Sequence, residues 1–183
     1  MFLVRLALCL VLVSRSGQVV CGEPVEVWLS PPSVQNARDI GKQITAASRA
    51  GFKAGQDRWQ ALNVQEVSYV LDQFTTGILV TECDMEPIRV RISKGKVVSA
   101  TYASGTAKCQ KGKAVRAPDY SQKILTPNDL FSVAKTEMDA DRECGVMVTY
   151  DPATGLPVEI EGGCPFMIDS YWAIKVTDFV VHR

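Results

Sequence analysis

A cysteine or serine nucleophile needs an imidazole beside it to take its proton. This chain of 183 residues has six cysteines but one histidine, His182, the penultimate residue, and chain ends usually fray. No G-x-S-x-G elbow occurs, since Ser104-Gly105 and Asp169-Ser170 lack the flanking glycines, and no P-loop or G-x-G-x-x-G opens a nucleotide site. The alternating acids Glu137, Asp139, Asp141 and Glu143 suggest calcium. An EF-hand loop begun at Asp139 would need Gly and Glu where Cys144 and Tyr150 stand. Glu82, Asp84 and Glu86 around Cys83 read the same way, as solvated carboxylates. No catalytic residue, metal or cofactor is therefore expected. A glycosidase-type pair of carboxylates would leave no mark in sequence, so a hydrolase stays as a third reading.

The cysteines serve better as disulfides. Residues 1–22 open with Arg5 and an unbroken apolar run, Leu6 to Val13. That run is too short for a membrane span, which needs about 20 apolar residues, and it fits the core of a secretory signal. Cleavage after Ser16 would leave five cysteines; cleavage after Gly22 leaves Cys83, Cys109, Cys144 and Cys164. An even set in an exported chain favours Gly22 and two bridges. Cys144 and Cys164 are equidistant from the Thr154 midpoint of one predicted hairpin. Cys83 and Cys109 flank a second hairpin, turning at Lys94-Gly95, almost symmetrically. Cys83–Cys109 and Cys144–Cys164 are the expected pairs, each worth about 3 kcal/mol by restricting the unfolded chain. A zinc site would want closer cysteine pairs and more histidines. The expected compartment is the periplasm or the medium, with no membrane span once the signal is removed.

Charge is the remaining signal. The 20 Lys+Arg balance the 20 Asp+Glu over the whole chain, which argues against a dedicated nucleic-acid binder. The balance hides a segregation. Lys94, Lys96, Lys108, Lys111, Lys113, Arg116 and Lys123 face one anion, Asp119, within Lys94–Lys123, whereas Thr126–Asp169 holds nine anions against Lys135 and Arg142. The two halves could neutralise each other. Alternatively the loop 104–123, with Tyr102 and Tyr120, is a steering surface for an anionic protein or envelope component.

The elements that must carry these residues follow from periodicity. An N-terminal arm, 23–32, with an edge strand at Val25–Leu29, precedes a domain spanning 33–183. Ser33 stands at an N-cap position, and Val34, Ala37, Ile40, Gly41, Ile44, Ala47 and Ala50 recur at helical spacing. The helix is expected over Val34–Ala50, interrupted at Gly51 and Gly55, with one or two further turns over Gln56–Leu62 carrying Trp59 and Leu62. Its small-residue stripe packs either on the domain's own sheet or on a second copy. Alternation then predicts strands around Val67–Leu71, Ile78–Val80, Pro87–Ser93 and Lys96–Tyr102, followed by a long loop, 103–123. Thr126-Pro127-Asn128-Asp129 opens a second helix with a capping box, and Leu130, Phe131, Val133 and Ala134 should face the sheet. Strands at Val146–Tyr150, Val158–Glu161 and Trp172–Val180 close the chain. The class is α+β: a meandering antiparallel sheet with an N-terminal helix and one inserted helix packed on one face.

Trp59 with Tyr69 ten residues on, Cys83, the hairpin IRVRISKGKVVSATY, the helix start TPNDLFSVA and the hairpin VMVTYDPATGLPVEIE together resemble a family of small exported bacterial proteins, a domain of unknown function. The resemblance spans Trp59 to Phe179, with YDPATGLP its most specific piece. The family usually has two cysteines close together where this chain has Cys83-Asp84-Met85, so the Cys83–Cys109 pairing rests on this chain alone. The resemblance implies compartment and fold but no activity. Three readings remain: a non-catalytic exported binding or envelope-associated domain, an inhibitor or immunity-type protein against a periplasmic enzyme or toxin, and the hydrolase.

Overall fold

The computed structural model describes residues 3–5, 26–28, 34–76, 82–106, 108–116, 119–140, 144–163 and 171–182. The expected signal core at 6–13, both cleavage points, the strand at 78–80, Asp141, Glu143 and Cys164 lie outside the described residues. The chain divides into two units, Met1–Asn36 and Ala37–Arg183. In the first, β1 (Leu3–Arg5) and β2 (Glu26–Trp28) form an antiparallel ribbon, with Val4 opposite Val27.

The second unit is an α+β domain. Helix α1 (Val34–Ala61), whose residues from Ala37 on belong to this unit, leads into β3 (Glu66–Thr75), a 3₁₀ turn (Glu82–Met85), β4 (Ile88–Ser93) and β5 (Lys96–Tyr102). Helix α2 (Pro127–Asp139) is inserted before β6 (Val146–Tyr150), β7 (Pro157–Gly162) and β8 (Trp172–His182). The sheet runs β5-β4-β3-β8-β7-β6, antiparallel throughout. Two three-strand meanders thus meet at the central β3–β8 pair, a long-range contact that joins the start of the domain to its end.

Alternation decides the faces, because successive strand side chains point to opposite sides. Val67, Tyr69 and Leu71 of β3, Ile88, Val90 and Ile92 of β4, and Ile174 and Val176 of β8 are buried, and they share one core with Leu130, Phe131, Ala134 and Met138 of α2. Arg89 and Arg91 point to the open face, where they pair with Asp178 (3.0 Å) and Glu66 (2.6 Å). Helix α2 begins as its sequence dictates. Thr126 caps it, accepting from the Asp129 N–H, and Asp129 accepts the Thr126 N–H in return (2.9 Å).

Helix α1 departs from expectation. It is one uninterrupted helix of 28 residues, passing through Gly51 and Gly55 without a break. Each glycine costs about 1 kcal/mol of helix propensity relative to Ala, but here both are contact points. A Cβ at Gly51 would stand 3.1 Å from the Tyr150 ring, and one at Gly55 would stand 2.8 Å from the Gly155 carbonyl oxygen. The small-residue stripe therefore packs on the domain's own sheet, against the free edge of β6. There Ser48 Oγ donates to the Val146 carbonyl (3.1 Å) and accepts the Val148 N–H (2.9 Å), while Thr45 Oγ1 accepts the Val146 N–H (2.9 Å). Phe52 meets Phe131 edge-on (centroids 6.0 Å) and ties α1 to α2.

Candidate functional site

The basic segment is built on a clamp that alternation alone does not reveal. The 3₁₀ turn and the residue after it place three side chains, Cys83, Asp84 and Glu86, against three points of the loop. Cys83 is bonded to Cys109, with Cα atoms 5.6 Å apart and both residues buried. Asp84, 1% exposed, accepts hydrogen bonds from the Ser121 N–H (2.5 Å) and Ser121 Oγ (2.7 Å), and its backbone carbonyl accepts from Gln122 Nε2 (2.8 Å). Glu86 accepts from Ser104 Oγ (3.0 Å). A buried carboxylate is tolerated only when its oxygens are bonded, so Asp84 is a structural strut rather than a solvated acid. Its burial is the feature the sequence reading missed, and the short E-C-D-M-E run carries no periodic signal that would have marked it.

Within the clamp the loop is ordered against β5. The Tyr102 N–H donates to the Lys113 carbonyl (3.1 Å), the Gly112 N–H to Tyr102 (2.9 Å) and the Val115 N–H to Ala100 (3.0 Å). Residues 112–115, inside the stretch expected to be loop, thus extend the sheet, with Ala114 bridging Thr101. Gly112, at φ +81°, makes the turn that allows it. Gly105 lets the backbone close on itself, since a Cβ there would stand 2.0 Å from the Cys109 carbonyl oxygen.

All seven cations are exposed, but they do not form one cluster. Lys94 and Lys96 sit at the β4–β5 turn. Lys108, Lys111 and Lys113 sit at the other end of β5, about 20 Å away by strand rise, and Arg116 follows the paired stretch. Lys123 stands apart, bonded to Asp129 at the start of α2 (2.6 Å). The other six make no ion pair among the described residues. Among the described residues the acidic half does not answer these six. Asp139 pairs with Lys135 and with Arg49 (3.7 Å), and Glu159 and Glu161 pair with Lys175 (2.6 and 3.2 Å). Tyr102 and Tyr120, expected on this surface, are core residues at 3% and 6% exposure, because each ring has apolar neighbours to fill. Burial pushes the Tyr120 hydroxyl up to about 12, and raises that of Tyr102, with Asp119 and Asp84 adding to it.

The remaining chemical groups are placed as follows. His182 is not frayed: it lies in β8 opposite Glu66, with Nε2 2.9 Å from Ser68 Oγ on the exposed open face. Glu161 on that face is held below the usual carboxylate range, because hydrogen bonds from Tyr171 (2.9 Å) and Lys175 outweigh its burial. Asp72, opposite Lys175 in the register, is raised by burial and by Glu86 against the pull of Lys175. Among the described residues no group of three or more His, Cys, Asp or Glu side chains is arranged to hold a metal ion, and no helix is long and apolar enough to cross a membrane. Cys144 is disulfide-bonded, and its expected partner, Cys164, lies outside the described residues. The β6–β7 register, Val146 opposite Gly162, is the one on which that pairing rested.

No curated protein and no solved structure matches the chain. A sequence model of a family of unknown function, DUF6174, matches residues 51–181. That stretch takes in most of the chain, from the second half of α1 to β8, with both hairpins and the clamp between them, and the chain belongs to this family.

Proposed function

We propose that the protein is an exported, non-catalytic binding domain of the bacterial cell envelope, and that the β5 edge with its clamped loop is the surface it offers to an anionic protein or envelope component. The observation that carries this reading is the set of six exposed cations, Lys94, Lys96, Lys108, Lys111, Lys113 and Arg116, along one edge of the sheet, none of which makes an ion pair among the described residues. A lysine held only for solubility has no need of an ordered backbone. Here three of them ride on a loop fixed by a disulfide, a buried carboxylate and strand pairing. Prior ordering lowers the entropic cost of association, and unscreened like charges steer an anionic partner from a distance of about a Debye length, ~8 Å at physiological salt. Disulfides at Cys83–Cys109 and at Cys144 suit an oxidising compartment.

The test is affinity capture from an envelope extract with the wild-type chain and a variant carrying Lys108→Glu, Lys111→Glu and Lys113→Glu. The wild type should retain a partner at low salt and release it as salt rises, and the variant should lose it with an unchanged melting temperature. Identical partners captured by both proteins would end the reading.

A further inference from the structure

A second candidate site lies away from the loop, where α1, α2 and the β4–β5 turn converge. Two concavities, of about 390 Å³ and 230 Å³, meet at Trp59 and Asn128, which line both. Trp59 is half-buried. The indole meets Phe179 in an edge-type contact (centroids 6.1 Å, 63° between planes), and Phe179 itself stacks on Tyr69, so the ring is anchored to the core while Trp59 still lines both concavities. Around it stand Gln56, Gln60, Asn128 and Ser132. Among the described residues none of these side chains, nor the indole N–H, makes a hydrogen bond within the molecule.

The charges bordering the cleft are mostly neutralised. Glu66 is taken by Arg91 and Lys135 by Asp139, which leaves Lys94. A cleft of this kind suits few ligands. An apolar molecule would strand four polar side chains without partners, a costly outcome. A nucleotide or acidic peptide would bring several negative charges to a single lysine. A sugar ring has an apolar C–H face that an indole can carry, and hydroxyls that donate and accept at once. Side-chain amides also donate and accept at once.

We propose that this cleft binds an uncharged stretch of a carbohydrate chain, with one ring laid on Trp59 and its hydroxyls bonded by Gln56, Gln60 and Asn128. The experiment is an NMR titration of the isotope-labelled full chain with two neutral probes, the tetramer of N-acetylglucosamine and the tetramer of glucose, followed at the Trp59 indole and the glutamine side-chain amides. At least one probe should shift these signals saturably below about 10 mM. The double variant Gln60→Ala, Asn128→Ala should bind at least tenfold more weakly while keeping its melting temperature. Trp59→Phe, which retains a ring on Phe179, should also weaken binding. Three outcomes would overturn the proposal: no saturable shift with either probe, equal affinity in the double variant, or tighter binding of adenosine monophosphate at the same residues.

Discussion

The two edges of the sheet are finished in opposite ways. At β6 the outward backbone groups are consumed by side chains of α1: Thr45 and Ser48 bond Val146 and Val148, and the Tyr150 hydroxyl donates back to the Ser48 carbonyl (3.3 Å). Glycines on both sides let the backbones touch. At β5 residues 112–115 cover only the second half of the strand, and in the first half Val98 is 56% exposed between Lys96 and Ser99. An unpaired edge invites pairing with other chains, and natural sheets guard it with a covering helix or with charge. This molecule uses the helix on one edge and lysines on the other. The first edge is committed to the fold; the second remains available, which is why the proposed binding surface is placed there.

The comparison is broken most directly at Gly145, where a Cβ would stand 2.1 Å from the Gly41 carbonyl oxygen. Gly145→Val should destabilise the domain by about 3 kcal/mol, the upper range for forcing volume into a packed contact, as read from urea unfolding. On the other edge the equivalent insult is loss of the Cys83–Cys109 bridge, which spans 26 residues. Cys83→Ala with Cys109→Ala should cost about 3 kcal/mol through the unfolded chain, and should also increase amide exchange across Lys108–Lys113, which Gly145→Val should leave protected.

A smaller effect separates the edges residue by residue. Ser48→Ala removes the partner of a buried amide and a buried carbonyl and should cost about 2 kcal/mol, whereas Ser99→Ala on the exposed half of β5 should stay within about 0.5 kcal/mol. Equal losses would mean that the helix does not seal its edge through Ser48. The smallest effect is one of pH. Burial raises the Tyr150 hydroxyl to about 12, so the folded state prefers the neutral phenol. That contribution is complete below pH 10, the ordinary tyrosine value, and is lost as pH rises through about 12. Tyr69 and Tyr120 are raised in the same direction, so Tyr150→Phe should flatten the alkaline decline in stability only in part.

Much of this architecture was legible in the chain. Alternation located β4 and β6 almost to the residue, because one face of each strand is buried and the other is wet, while the Lys94-Gly95 turn marked where β5 begins although most of that strand is exposed. The T-P-N-D start of α2 was legible because a capping box is a local device whose partners lie three residues apart. Hairpin symmetry located Cys83–Cys109 because antiparallel register brings equidistant positions together. The breaks expected at Gly51 and Gly55 were wrong for an equally physical reason. Propensity counts what a glycine costs its own helix and is blind to the Tyr150 ring and the Gly155 carbonyl that need its missing side chain.

By itself the sequence determined the α+β class, the order of elements, the absence of familiar nucleophile and nucleotide motifs, and the segregation of charge, all properties carried by neighbours along the chain. The tertiary structure alone decided that Asp84 is buried while Lys108, Lys111 and Lys113 are not, and that Asp139, Glu159 and Glu161 pair with Lys135, Arg49 and Lys175 rather than with the basic loop. It also decided which side chains ring Trp59. Burial and ion pairing depend on what arrives from dozens of residues away, and the β3–β8 pairing and the Cys83–Cys109 bridge bring those distant residues together.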